Sequence, residues 1–370
     1  MTANRRFKQR VRARSAKTGE SYTAALRHFR TASGGAEVSE QRTGANSRTG
    51  MVDVSVGADV GGGVGSGGNG AGGKRIRVAV AQTSLIDDPR DVAGLRAAGE
   101  QVRGLMREAA GAGARLVLFP EGAMCAPNKR LMSSVPDEVG PSDWSRFAWD
   151  VLQEELTAVA RLAGELRLWT VLGAVHQLTA PNRPHNSLYV ISDRGEVASR
   201  YDERLLSKTK VTYMYAPGAT TVTFDVDGVR FGCLLGMEVH YPELFAAYEQ
   251  QGVDCVLFGT TGTDPSKQTK AFATEAQGLA AANSLCVAFA APASLGAIAP
   301  SGLLGPDGTW LARCAASTDP AVVVGDLDDG AADVEIAVRY ARPWRREARG
   351  GLYEEHRVVA DPRSEARSTF

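Results

Sequence analysis

RLVLFPE, residues 115–121, is a short apolar run that ends at Pro120 and places a carboxylate, Glu121, directly behind it. A proline removes the backbone donor that a continuing ladder needs, so the run suits a short buried strand rather than part of a helix. In α/β proteins ligands collect at the carboxyl ends of strands, which makes Glu121 a candidate by position. Partial burial would raise its pKa and suit it to general-base work. A loop or helix-capping glutamate fits the same position equally well.

Working outward, strands and helices alternate. Residues 75–83 (RIRVAVAQT) alternate Ile76, Val78 and Val80 with smaller residues and suit a strand. Val92, Leu95, Val102, Leu105 and Ala109 recur at three- and four-residue steps, giving an amphipathic helix over 91–109. A helix is expected near 144–164, with Leu152, Leu156, Val159 and Ala163 on one face. Strands are expected near 168–175, 187–193, 254–259, 285–291 and 321–326, and helices near 242–250 and 269–282. Asp193-Arg194-Gly195, Asp227-Gly228 and Asp307-Gly308 signal hairpin turns. Helices between strands, mixed with hairpins, imply sheets covered by helices on their outer faces. Nothing in the composition divides residues 75–355, so they read as one domain, followed by a polar tail at 356–370.

The N-terminal part reads differently. Residues 1–30 hold nine Lys and Arg against a single acid, Glu20, a charge of +8. Residues 1–33 form a basic arm: a short helix over 5–16, a break at 18–21, and a second helix capped by Ser21. Contact with nucleic acid or a partner protein is open to such an arm. Residues 34–74, with GVGSGGNGAGG, read as a flexible Gly-rich linker.

Lys plus Arg equals Asp plus Glu, at 42 each, so no global charge draws the chain to nucleic acid or membrane. No apolar run approaches the about 18 residues of a membrane helix, and a soluble protein is expected. Cys125, Cys233, Cys255, Cys286 and Cys314 show no C-x-x-C spacing, so neither a disulfide framework nor a zinc site is signalled. A reducing, cytoplasmic setting follows.

Two further segments can carry chemistry. Arg200-Tyr201-Asp202-Glu203-Arg204 runs off a strand after the 193–195 turn. Phe231-Gly232-Cys233-Leu234-Leu235-Gly236-Met237-Glu238-Val239-His240-Tyr241-Pro242 is an apolar strand that ends at Gly236, with a helix starting at Pro242. Sharp strand-to-helix bends are where many hydrolases expose a nucleophile.

Together the three segments resemble the nitrilase, or carbon–nitrogen hydrolase, superfamily. VAVAQT, FPEG, HNSLYVISDRGEVASRYDERLL, YPELF, GVDCVLF, AAANSLCVAF, SGLLGPDGTWLA and ARPWRREARGGLY carry the resemblance over about residues 75–352. It implies a four-layer α-β-β-α sandwich, here with a disordered basic N-terminal extension, that pairs into homodimers or higher homo-oligomers. It also implies a glutamate base, a lysine that stabilises the tetrahedral intermediate and a cysteine nucleophile, which cleave amides, nitriles or carbamoyl groups through a thioester. The base position is Glu121. The lysine position of the Tyr-x-Lys pattern holds Glu203. The nucleophile position, six residues before the Pro242-Glu243 pair, holds Gly236.

Glycine offers no atom for a thioester, and a glutamate in place of the lysine removes the expected cation. Cys233, three residues before the bend, points to the opposite strand face. Cys125 lies on a loop after Glu121, while Cys255 and Cys286 belong to the core. Lys208 and Lys210 are expected to reach solvent. Glu121 and Glu203 repel when both are ionised, so one takes up a proton or recruits a cation. With Glu238 they could hold an amine or a divalent metal. A proton-sharing pair without ligand is the reading taken, and no cofactor is expected. Met237, Glu238 and His240 are the ligand-contacting candidates. The function expected is a catalytically degenerate superfamily member that binds a small molecule or a partner. The alternatives are an amidase or nitrilase-type hydrolase using a displaced cysteine, and non-covalent acid/base chemistry by Glu121 and Glu203.

Overall fold

The computed structural model describes Val52–Asp53 and residues 75–262, 270–358 and 360–368. The basic arm and most of the segment read as a linker lie outside the described residues. Within that segment Val52–Asp53 (β1) pairs in parallel with Val222–Thr223.

Two mixed sheets face each other. One runs in the order β13 (Ala321–Asp328), β2 (Arg75–Gln82), β3 (Leu116–Leu118), β4 (Trp169–His176), β5 (His185–Ile191), β6 (Val197–Asp202). The other runs β1, β7 (Val222–Val226), β8 (Val229–Leu235), β9 (Cys255–Gly259), β10 (Cys286–Ala290), β11 (Gly302–Leu304), β12 (Trp310–Arg313). The three hairpin signals fall between β5 and β6, β7 and β8, and β11 and β12.

Strand β2 shows why the layers stack. Its period of two sends Val78 and Val80 into the core shared with Phe231, Cys233 and Leu257 of the other sheet. Ala79 and Ala81 face the opposite way, against α1 (Val92–Gly111) and α2 (Trp149–Leu166), which bury Leu95, Val102, Leu152 and Val159. Helices α3 (Pro242–Gln250) and α4 (Ala271–Asn283) bury Phe245, Tyr248, Phe272 and Leu279 against the second sheet. The order of layers is helix, sheet, sheet, helix, as the sequence implied.

The helix expected from residue 144 starts later. Trp144–Arg146 is a separate 3-10 turn capped by Asp143, and α2 begins at Trp149. Trp144, Phe147 and Trp149 pack their rings together across the break, with centroids 4.2–6.2 Å apart.

Candidate active site

Five chain segments converge at one end of the facing sheets. Glu121 follows β3, which lies in parallel between β2 and β4. The turn at Pro120-Glu121 lies flat on β4 because residue 173 is glycine: a Cβ there would stand 2.0 Å from the Pro120 carbonyl oxygen. Asn186 opens β5, Glu203 follows β6, Gly236 follows β8, and Thr261 lies just past β9.

Glu121 is 3 % exposed and fully engaged. Its Oε2 accepts the Thr261 N–H at 2.8 Å and the Thr261 hydroxyl at 3.2 Å. Its Oε1 accepts Asn186 Nδ2 at 2.9 Å and a close ion pair from Lys210. Glu203, 1 % exposed, receives the same two donors on Oε2, Asn186 at 2.6 Å and Lys210 at 2.8 Å. Among the described residues its Oε1 accepts only the Met237 N–H, at 3.4 Å.

Lys210 corrects the expectation that it reaches solvent. After Glu203 the chain folds back through Ser207, whose carbonyl accepts the Val211 N–H at 2.9 Å, into the π-helical turn Lys210–Met214. The turn delivers the ammonium between the two carboxylates. The cation missing from position 203 is therefore supplied seven residues further on.

The charges order the site. Burial alone would raise the Glu121 carboxyl, but the Lys210 ammonium and the Thr261 and Asn186 donors outweigh it and hold Glu121 below its ordinary value. At Glu203 burial wins: with the Glu121 charge adding to it and Lys210 only partly offsetting it, this carboxyl is pushed up to about 7. Burial works against the Lys210 charge, and the two carboxylates hold it well above the usual lysine value. One cation is thus shared by an ionised acid and an acid that titrates near neutrality.

Gly236 faces this cluster. Its φ is +54°, in the left-handed region that glycine adopts without strain. A Cβ on it would lie 2.6 Å from Glu203 Oε1, 3.0 Å from Lys210 Nζ and 3.2 Å from Glu121 Oε2. The three positions read from sequence as base, lysine and nucleophile therefore meet in space.

The other sequence candidates separate. Met237 lines a small cavity of about 100 Å³ over Gly236, together with Phe272 and Thr260. Glu238 is fully buried and spent on the protein, accepting from the Tyr201 hydroxyl (2.6 Å) and the N–H groups of Leu235 (2.8 Å), Arg204 (2.9 Å) and Leu205 (3.3 Å). His240 turns outward, with Nδ1 at 2.5 Å from Glu275 and its ring on Phe272. Cys233, Cys255 and Cys286 are buried in the core. Cys125 lies on the wall of a larger cavity of about 380 Å³ that also exposes Glu121, Lys210, Asn186 and Tyr215. Among the described residues no group of three or more His, Cys, Asp or Glu side chains is arranged to hold a metal ion. No helix of the described residues is long and apolar enough to cross a membrane.

Sequence reasoning missed Asn186, Lys210, Tyr215 and Thr261. Asn186 and Thr261 lie at the ends of apolar runs, HNSLYV and CVLFGTT, the same signal that singled out Glu121. For Lys210 and Tyr215 the sequence carries no such mark.

The fold and this cluster define a class, and comparison with known proteins gives it a name. Residues 77–335 match the carbon-nitrogen hydrolase family model, and the chain belongs to that family. It is similar to a hydrolase of Mycobacterium tuberculosis (strain ATCC 25618 / H37Rv), at 28% identity over 197 residues, 52% of this chain and 64% of that protein. It is also similar to the bifunctional nitrilase/nitrile hydratase NIT4 of Oryza sativa subsp. japonica, at 24% identity over 207 residues, 51% of this chain and 54% of that protein. The chain thus spans less than two thirds of these curated relatives. Among solved structures, the C. elegans NitFhit protein superposes with a TM-score of 0.59 at 20% identity, covering 76% of this chain and 67% of that one. A mutant of the Nesterenkonia AN1 amidase from the nitrilase superfamily gives 0.53 at 18% identity, covering 74% and 98%.

Proposed function

We propose that this member of the carbon–nitrogen hydrolase family binds a small polar molecule in its pocket without forming a thioester to it. Gly236 carries the reading. The position matching the family nucleophile offers no side-chain atom for a covalent bond, and the Glu203 carboxylate presses on the space a side chain would take. In a Nesterenkonia amidase the acetamide moiety of fluoroacetamide is covalently added at an active-site cysteine. Here the same reagent has no partner at the bend. Lys210 is held by two carboxylates, so its charge is already neutralised where an oxyanion would need it.

A panel of amides and nitriles tests the reading, together with fluoroacetamide treatment followed by intact mass measurement. Neither turnover nor an adduct is expected. Turnover that disappears in Glu121→Gln overturns the proposal.

One observation favours a second reading, a hydrolase with a displaced nucleophile: Cys125 shares the larger cavity with Glu121 and Lys210. Against it, burial, with Asp87 and Asp88 adding to it, pushes the Cys125 thiol far above its usual range, which leaves little thiolate. A fluoroacetamide adduct mapped to Cys125, with activity lost in Cys125→Ser, would establish that reading instead. The assembly proposed is a homodimer, tested by sedimentation equilibrium. The location proposed is the cytoplasm, a reducing compartment that suits five free, buried thiols; cell fractionation tests it.

A further inference from the structure

The floor of the larger cavity sets two carboxylates, Glu121 and Glu203, against one ammonium, that of Lys210. Glu121 lines it, and Glu203 stands directly behind, joined to Glu121 through Asn186 and Lys210. Two carboxylates and one ammonium leave one negative charge in excess before any proton is added. Two more polar atoms line the cavity without a partner among the described residues. Asn186 commits Nδ2 as donor to both glutamates, which leaves Oδ1 as an acceptor. The Tyr215 hydroxyl is likewise unpaired. Both residues are 4 % exposed and line the cavity. The mouth has the opposite character: Lys129 is exposed there and forms no ion pair among the described residues.

We propose that this cavity binds a small zwitterion, with its ammonium seated against Asn186 Oδ1 and the Tyr215 hydroxyl beside the Glu121 charge, and its carboxylate held at the mouth by Lys129. The inference rests on the reading that the pocket holds a ligand without covalent attachment, and it names the chemistry of that ligand. An ammonium brings donors and no acceptor, matching the floor, and its charge compensates the excess in a site largely shielded from water. A carboxylate on the floor would instead face Glu121, and a neutral amide would leave the excess charge uncompensated. Arrival of the ammonium favours the ionised form of Glu203, so the carboxyl gives its proton to solvent while the ligand keeps its own. A volume of about 380 Å³ accommodates an amino acid with a short carbon chain between its charges.

Isothermal titration of the full chain with 4-aminobutyrate, 6-aminohexanoate, n-butylamine and butyrate tests the proposal. The amino acids are expected to bind, butylamine about tenfold more weakly and butyrate not at all. Titration near pH 6 in buffers of different ionisation enthalpy should show a proton released on binding. Lys129→Met, a change at an exposed side chain, should reduce the amino acids to the affinity of butylamine. Glu203→Gln should weaken every amine and abolish the proton release, with thermal melting used to confirm that the variant is folded. If it is not folded, Lys129→Met decides. Butyrate binding as tightly as the amino acids, or no binding of any amine, overturns the proposal. Either result leaves the amide panel and fluoroacetamide mass untouched, so the two readings fail separately.

Discussion

At Glu203 the pH dependence of stability can be worked out from a single side chain. Its carboxyl is raised from 4.5 to about 7 by burial, with the Glu121 charge adding and Lys210 only partly offsetting the rise. Between those values the folded state holds a proton that the unfolded state has lost, so folding binds protons there. The contribution is fully present below pH 4.5 and is lost as pH rises through about 7. Glu121 has the opposite sign: its carboxyl is held low, and its contribution is lost as pH falls. Glu203→Gln keeps the shape and removes the titration, so the difference between wild type and variant isolates the raised group. Melting temperatures measured from pH 4 to 8 should show the wild type losing ground to Glu203→Gln as pH rises, with most of the change below about 7. A difference that stays flat would place the Glu203 pKa at its ordinary value. Gly236 is limited in another way. Its left-handed φ and the 2.6 Å approach of Glu203 Oε1 to a Cβ make Gly236→Ala costly on two counts. A loss of about 1–3 kcal/mol in denaturant unfolding is expected.

Between elements, Glu238 ties the end of β6 to the bend after β8. Its four donors come from Tyr201, Arg204 and Leu205 on one side and Leu235 on the other, so one buried carboxylate holds Glu203 against Gly236. Glu238→Gln turns one acceptor into a donor and faces it with another donor. About 1–3 kcal/mol of stability should be lost in urea unfolding, the cost of a buried group left unpaired. A neutral result would mean that the two segments are placed by apolar packing alone. This link also shows how far the sequence could be read. Glu121 was legible from the apolar run and proline before it, whereas Glu203 and Gly236 took their roles from the resemblance to the family's lysine and nucleophile positions. Glu238 was legible as a residue near the bend, but its direction was not. On the tight turn Gly236–His240 adjacent side chains point to different sides, and only the fold says which side is core. Lys210 was illegible for a related reason. Its reach depends on a loop and a single π-helical turn, and no periodicity in five residues announces either.

For the molecule as a whole, sheets covered by helices were legible from strand and helix periodicity, while the four-layer order came with the resemblance to the family. Charge adds an organisation that the fold does not show. The full chain is neutral, yet residues 1–30 carry +8, so the remaining residues must carry −8. A balanced total therefore hides a basic N-terminal stretch and an acidic remainder, and two opposite responses to polyanions are combined in one chain. An acidic remainder repels a polyanion, whereas clustered Lys and Arg bind one by releasing its counterions, with an affinity that falls steeply with salt. Retention on heparin at low salt should depend on the arm alone. The full chain should bind the column and elute as salt rises, and deletion of residues 1–33 should send the protein through without retention. The shortened chain should also focus at a more acidic point than the value near 7.0 of the whole sequence. If salt-sensitive retention survives the deletion, the polyanion contact belongs to the folded domain, and the arm is left with protein contact as its remaining role.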